Sequence, residues 1–165
     1  MAAGTIIATA IAIILLIVTG YVLIGGILST GQTVVAAQKA AADLESQRIH
    51  TRIEIINAST NTTTEQAFIE VKNTGSEMVA DFNHMEVYLL QGGSPYAYTD
   101  NVSDPMFWTY TISPDEVHPR LLDPDEVANI TVPYDPLKGS PTWVKVTTAN
   151  GVYDSKYIPY SGGSP

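Results

Sequence analysis

The chain has 165 residues, a net charge of −9 and no cysteine. Without cysteine there is no disulfide framework, no cysteine-ligated zinc site and no thiol nucleophile. The acidic balance argues against a nucleic-acid partner, which would call for clustered Lys and Arg.

The charge is unevenly placed, since residues 1–38 hold no Asp, Glu, Lys, Arg or His. From Ile6 to Leu28, 14 of 23 residues are Ile, Leu or Val. As a helix this segment measures about 35 Å, against about 30 Å of bilayer hydrocarbon. It is expected to be a retained transmembrane anchor in membrane lipid, with Ile6, Ile13, Leu16, Val22 and Leu28 among its lipid-facing residues. A signal peptide would need a basic n-region, and MAAGTIIATA has none. A buried core helix would need only about 10 to 14 apolar residues.

Beyond the anchor, residues 32–49 lack proline and are rich in Ala, so the helix is expected to continue as an extracytoplasmic stalk. Domain boundaries follow: anchor and stalk over 1–51, a β domain over 52–159 and a Ser/Gly/Pro tail over 160–165. Gly25-Gly26 marks a place for a bend. Ala8 and Ala12 sit four apart, and with Gly20, Gly25 and Gly26 they offer small surfaces where another helix can approach.

From Arg52 the apolar period changes to two. Strands are expected around Ile53–Ile55, Ala67–Lys72, Met85–Leu90, Trp108–Ile112, Ala128–Val132 and Val144–Thr148. Turn chemistry separates them at Asn73-Thr74-Gly75, Gly92-Gly93-Ser94-Pro95, Asp123-Pro124-Asp125 and Gly139-Ser140-Pro141. Asn150-Gly151 is the strongest hairpin signal. The fold class is therefore α+β: a long N-terminal transmembrane helix, then an all-β immunoglobulin-like sandwich of seven or eight strands.

Four of the seven asparagines, Asn57, Asn61, Asn101 and Asn129, stand in N-x-[ST] sequons. This pattern is expected of an outward-facing, N-glycosylated surface, with the C-terminal domain outside the membrane. His50, His84 and His118 stand alone without metal-type spacing, and Asp123-Pro124-Asp125-Glu126 lacks the glycine of a calcium loop. With no nucleophile motif or phosphate loop, the chain is expected to be no enzyme and to carry no cofactor or metal.

The β half resembles the accessory proteins F and G of the archaellum, the archaeal flagellum, within the type IV pilin-like superfamily. The likeness lies in Ile53-Glu54-Ile55-Ile56-Asn57, Ile69-Glu70-Val71-Lys72-Asn73-Thr74-Gly75-Ser76 and Met85-Glu86-Val87-Tyr88-Leu89. It continues in Leu122-Asp123-Pro124-Asp125-Glu126 and in Val144-Lys145-Val146 running into Ala149-Asn150-Gly151-Val152. The resemblance implies a membrane-anchored stator for motility whose sandwich lies outside an archaeal cytoplasmic membrane. There it would bind the surface-layer (S-layer) protein, self-associate and meet other archaellum components. The chief rival is an archaellin or pilin-like subunit of an extracellular filament, made with a basic leader ending before Gly, which MAAGTIIATA does not resemble. A membrane-anchored surface adhesin is the third reading.

Overall fold

The computed structural model describes residues 2–99 and 107–159. By its internal contacts the chain divides into two units, Met1–Leu44 and Glu45–Pro165. A single helix, α1, spans Ala2–His50. It passes Gly20, Gly25, Gly26 and Gly31 without a break in its helical assignment. The hydroxyls of Thr9, Thr19 and Thr30 donate to the carbonyls of Thr5, Leu15 and Gly26, four residues back, so they are satisfied on the helix itself.

The second unit is a sandwich of two four-stranded antiparallel sheets. Its strands are β1 (Ile53–Asn61), β2 (Gln66–Asn73), β3 (Glu86–Gln91), β4 (Ser94–Tyr98), β5 (Thr109–Ser113), β6 (Val127–Pro133), β7 (Trp143–Thr147) and β8 (Tyr153–Tyr157). The sheet orders are β1-β2-β6-β5 and β4-β3-β7-β8. These orders reproduce the immunoglobulin arrangement A-B-E-D against C′-C-F-G.

Alternation builds the core. Ile53, Ile55, Ile69, Val71, Ala128, Ile130 and Val132 point inward from one sheet, and Val87, Leu89, Val144 and Val146 from the other. All are at most 4% exposed, so the expected strand phases hold through β2, β3, β6 and β7. Trp108 is also buried, but it precedes β5 and joins the structure by its N–H to Thr99 O at 2.7 Å. Phe82 stacks on Tyr110 with ring centroids 4.0 Å apart.

Two details depart from simple alternation. Gly92 and Gly93, at φ 54° and 82°, form a tight turn that returns the chain as β4, so Ser94 and Pro95 belong to a strand rather than only to a turn. In β1 a bulge at Ile56 shifts the register between Ile55 and Asn57, which changes the phase of everything after it. Ala58 therefore faces the core, while Asn57 pairs with Glu70 and Asn61 with Gln66.

The chain leaves α1 through a clamp. Ser76 N and Glu77 N donate to His50 O, and Thr74 N and Gly75 N donate to Arg52 O, at 2.8 to 3.2 Å. The helix end thus has partners for carbonyls that no further turn can satisfy. The loop keeps its shape through Asn73, whose Nδ2 donates to Glu77 O and Leu122 O and whose Oδ1 accepts from Gly75 N. On the other sheet, Asn150 Nδ2 donates to Thr51 Oγ1 at 2.8 Å.

A Cβ on Gly75 would lie 2.5 Å from both Arg52 N and His50 O. Both are backbone atoms and cannot step aside. Gly75→Ala is expected to destabilise the sandwich by about 1 to 3 kcal/mol, read as a lower midpoint of thermal unfolding of the detergent-purified chain. Ser76→Ala, at an exposed position, should leave that midpoint nearly unchanged.

Candidate functional site: an apolar helix and the two faces of the sandwich

Among the described residues α1 is the one helix long and apolar enough to cross a membrane. Ile6, Ile13, Leu16, Val22 and Leu28 all stand exposed on it, 55% or more of each surface being open. Hydrophobic residues surround the helix rather than forming one stripe, as suits an apolar medium and not a half-buried surface helix. Nothing lies within 4 Å of a Cβ placed on Gly20, Gly25 or Gly26, so a close approach by another helix meets no obstruction there. Ala8 and Ala12 are exposed as well. The single chain brings none of these small residues against a partner.

The outer face of the β1-β2-β6-β5 sheet is rich in amides and hydroxyls, with Glu70 and the part-exposed Phe68 among them. One row across it reads Asn57, Glu70, Asn129, Thr111, and the next reads Ser59, Phe68, Thr131, Thr109. The bulge at Ile56 is what turns Asn57 onto this face. Asn61 ends β1 on the same side. Three of the four sequons therefore share one sheet, a grouping that chain order alone does not reveal. Asn101 lies outside the described residues.

The other sheet presents a different chemistry. Its outward rows read Glu86, Thr147, Tyr153; Ala97, Tyr88, Lys145, Ser155; and Pro95, Leu90, Trp143, Tyr157. Tyr153 and Tyr157 are 62% and 78% exposed, which makes them available as contact rings. Lys145 Nζ sits 4.2 Å from the Tyr153 ring centroid. Aromatic side chains with few charges are the composition that marks the centre of protein interfaces.

The free edges differ too. At β1, Asp154 Oδ2 accepts from Ile55 N at 2.7 Å, and Lys156 Nζ donates to the carbonyls of Ile55 and Ile56. Side chains of β8 thus occupy backbone groups of β1 at its bulge that an incoming strand would need. Sequence reading missed this pair: Asp154 and Lys156 take the inward phase of β8, opposite Val146 and Val144, and their backbone partners in β1 lie about 100 residues away in the chain. Asn73 and Gln91 were more legible. Each continues the inward phase of its strand, and a polar residue at a core position must find buried partners.

Gln91 does so by donating to Asp135 O and Gly139 O and accepting from Tyr98 Oη at 3.1 Å. His118 bonds Asp123 through both its backbone N–H and Nδ1, and Glu126 accepts from Glu116 N and Asp123 N. These buried acids are spent on loop closure. No group of three or more metal-type side chains occurs among the described residues.

The chain joins a long apolar helix to an immunoglobulin-type β domain. It belongs to the archaeal-type flagellin family, whose model matches residues 2–157. An uncharacterized protein of Archaeoglobus fulgidus is 25% identical over 158 residues, 94% of each chain. Among solved structures, the archaellum periplasmic stator protein complex FlaF and FlaG from Sulfolobus acidocaldarius aligns with a TM-score of 0.50 at 22% identity. That alignment covers 64% of this chain and 87% of the other. The stator protein FlaG alone, from the same organism, gives a TM-score of 0.49 at 22% identity, over 64% of this chain and 97% of the other. The likeness to the complex is one of fold.

Burial, with Asp135 and Tyr96 nearby, raises the Tyr98 phenol above its ordinary pKa of 10.0. Tyr98 is neutral in the folded chain where an unfolded chain would already ionise. Its contribution to stability is complete below about pH 10 and is lost as pH rises through the higher folded value. Alkaline unfolding should therefore steepen above that point, and Tyr98→Phe should lose one of the components of phenolate absorbance that titrate later than an ordinary tyrosine.

Proposed function

We propose that this protein is a structural component of the archaellum, a stator-type protein held in the cytoplasmic membrane by α1 with its sandwich outside. The observation that carries the reading is a helix, free of charged residues as far as Gln38, that runs into an immunoglobulin-type domain in a chain of the archaeal-type flagellin family. The complex of FlaF and FlaG, a periplasmic stator, shares the fold of the sandwich, and the stator role is proposed by analogy with it. In this reading Ile6, Ile13, Leu16, Val22 and Leu28 lie in hydrocarbon, where their transfer favours insertion by about 2 kcal/mol in sum. The small residues Ala8, Ala12, Gly20, Gly25 and Gly26 give neighbouring helices room to pack.

The sandwich binds the surface-layer protein through the aromatic face of β4-β3-β7-β8, and the work of the molecule is mechanical. One end holds the membrane, the other holds the envelope, and torque from the rotating filament is resisted between them. A second reading, a subunit of the filament itself, is favoured by the family match running through α1 as well as the β domain.

Quantitative mass spectrometry of sheared filaments and washed envelopes separates the two. A stator is expected in the envelope and nearly absent from filaments, while abundance along sheared filaments makes the chain a subunit. For the face, Tyr157→Glu should weaken co-sedimentation of the purified chain with isolated surface layer about tenfold or more, the loss of one interface anchor of roughly 2 kcal/mol. Thr111→Glu on the opposite sheet should leave it unchanged.

A further inference from the structure

The fold sorts the sequons by accessibility, and they are not equivalent. We propose that, of the three sequons among the described residues, Asn61 is the one that accepts an N-linked glycan, so that the protein is modified at the β1–β2 turn of the sandwich and not on the interior of a sheet. The inference rests on the outward orientation of the sandwich proposed above.

Asn61 closes β1, and residues 62–65 that follow it are all exposed. Its Oδ1 accepts from Thr63 N at 2.9 Å and Thr64 N at 3.2 Å. Two backbone donors on one atom fix which end of the carboxamide is oxygen and turn Nδ2 the other way. The Nδ2 is the nucleophile the modification requires. It attacks the anomeric carbon of a lipid-phosphate-linked oligosaccharide; the new C–N bond replaces the sugar C–O bond to phosphate. The lipid phosphate departs, and the amide gives up one proton.

The other two described sequons fail on different counts. Asn129 is half-buried in β6, between β2 and β5, and every residue of its sequon is paired on both sides. A catalyst must grip the acceptor and its hydroxyl two residues on, and lifting Asn129-Ile130-Thr131 would open two ladders at once. Asn57 sits in an edge strand, but it directly follows the segment that Asp154 and Lys156 tie down, and its Nδ2 contacts Glu70 Oε1 at 3.5 Å. Among the described sequons, only that of Asn61 has its hydroxyl residue, Thr63, in a turn that belongs to no ladder.

The test uses full-length protein purified from its own cells, with site-resolved glycopeptide mass spectrometry. Intact cells are labelled in parallel with a membrane-impermeant amine reagent read at Lys138. The expected result is a glycan at Asn61 in most chains, with Asn129 unmodified. Thr63→Ala should remove one glycan's mass while Thr63→Ser retains it, and Thr131→Ala should change nothing. These variants leave the Asn61 carboxamide in place, so loss of the glycan is not loss of the turn. An unmodified Asn61 in cells whose Lys138 is labelled overturns the assignment alone. An unmodified Asn61 with unlabelled Lys138 overturns the orientation as well. A glycan carried mainly at Asn129 also rules out the proposal.

Discussion

The second unit depends on the way the backbone at the end of α1 is received. Helix carbonyls without a following turn must be bonded elsewhere. Here His50 O and Arg52 O meet four consecutive N–H groups from residues 74 to 77. The arrangement requires Gly75, since any side chain would strike backbone at 2.5 Å. It also requires Asn73, whose amide holds both ends of the loop and reaches across to Leu122. Asn150 ties Thr51 to the β7–β8 turn, so the first residues after the helix are attached to both sheets.

From that point the face that each later residue of β1 takes follows from a single extra residue. A β-strand has period two, and an inserted residue exchanges the faces of everything beyond it. Without the bulge at Ile56, Asn57 and Asn61 would take core positions and Ala58 would face water. With it, Asn57, Ser59 and Asn61 face outward beside Glu70, Phe68 and Gln66. The outer face of the other sheet, set by the phases of its own strands, carries Tyr88, Trp143, Tyr153 and Tyr157, so the two faces of the domain are chemically distinct.

Much of this was legible in the sequence, for physical reasons. The helix was legible because a charge-free run of that length has few other fates. The strands β2, β3, β6 and β7 were legible because both ends of each are marked by turn residues and their inner positions are Ile, Leu, Val or Ala. β4 was not, because Ser94 and Pro95 read as turn chemistry and an edge strand tolerates proline. The bulge was hidden because Ile53, Ile55 and Ile56 are all apolar, so no polarity change marks where the phase slips. The motif Lys72-Asn73-Thr74-Gly75-Ser76 was recognisable as a fold signature, while its role in receiving the helix end depends on partners over twenty residues away. Of the site residues, the apolar helix positions were readable one by one, but the gathering of Asn57, Asn61 and Asn129 onto one sheet is a property of register.

Asp154 and Lys156 bear on the size of any assembly this domain can enter. A sandwich with exposed edges at both flanks could add copies by strand pairing in either direction and grow without limit. Here the β1 and β8 edges meet each other, and the backbone of Ile55 and Ile56 is already bonded to side chains. An incoming strand on that flank would have to displace both side chains before it could pair at the bulge, so growth of the sheet by strand addition is disfavoured there.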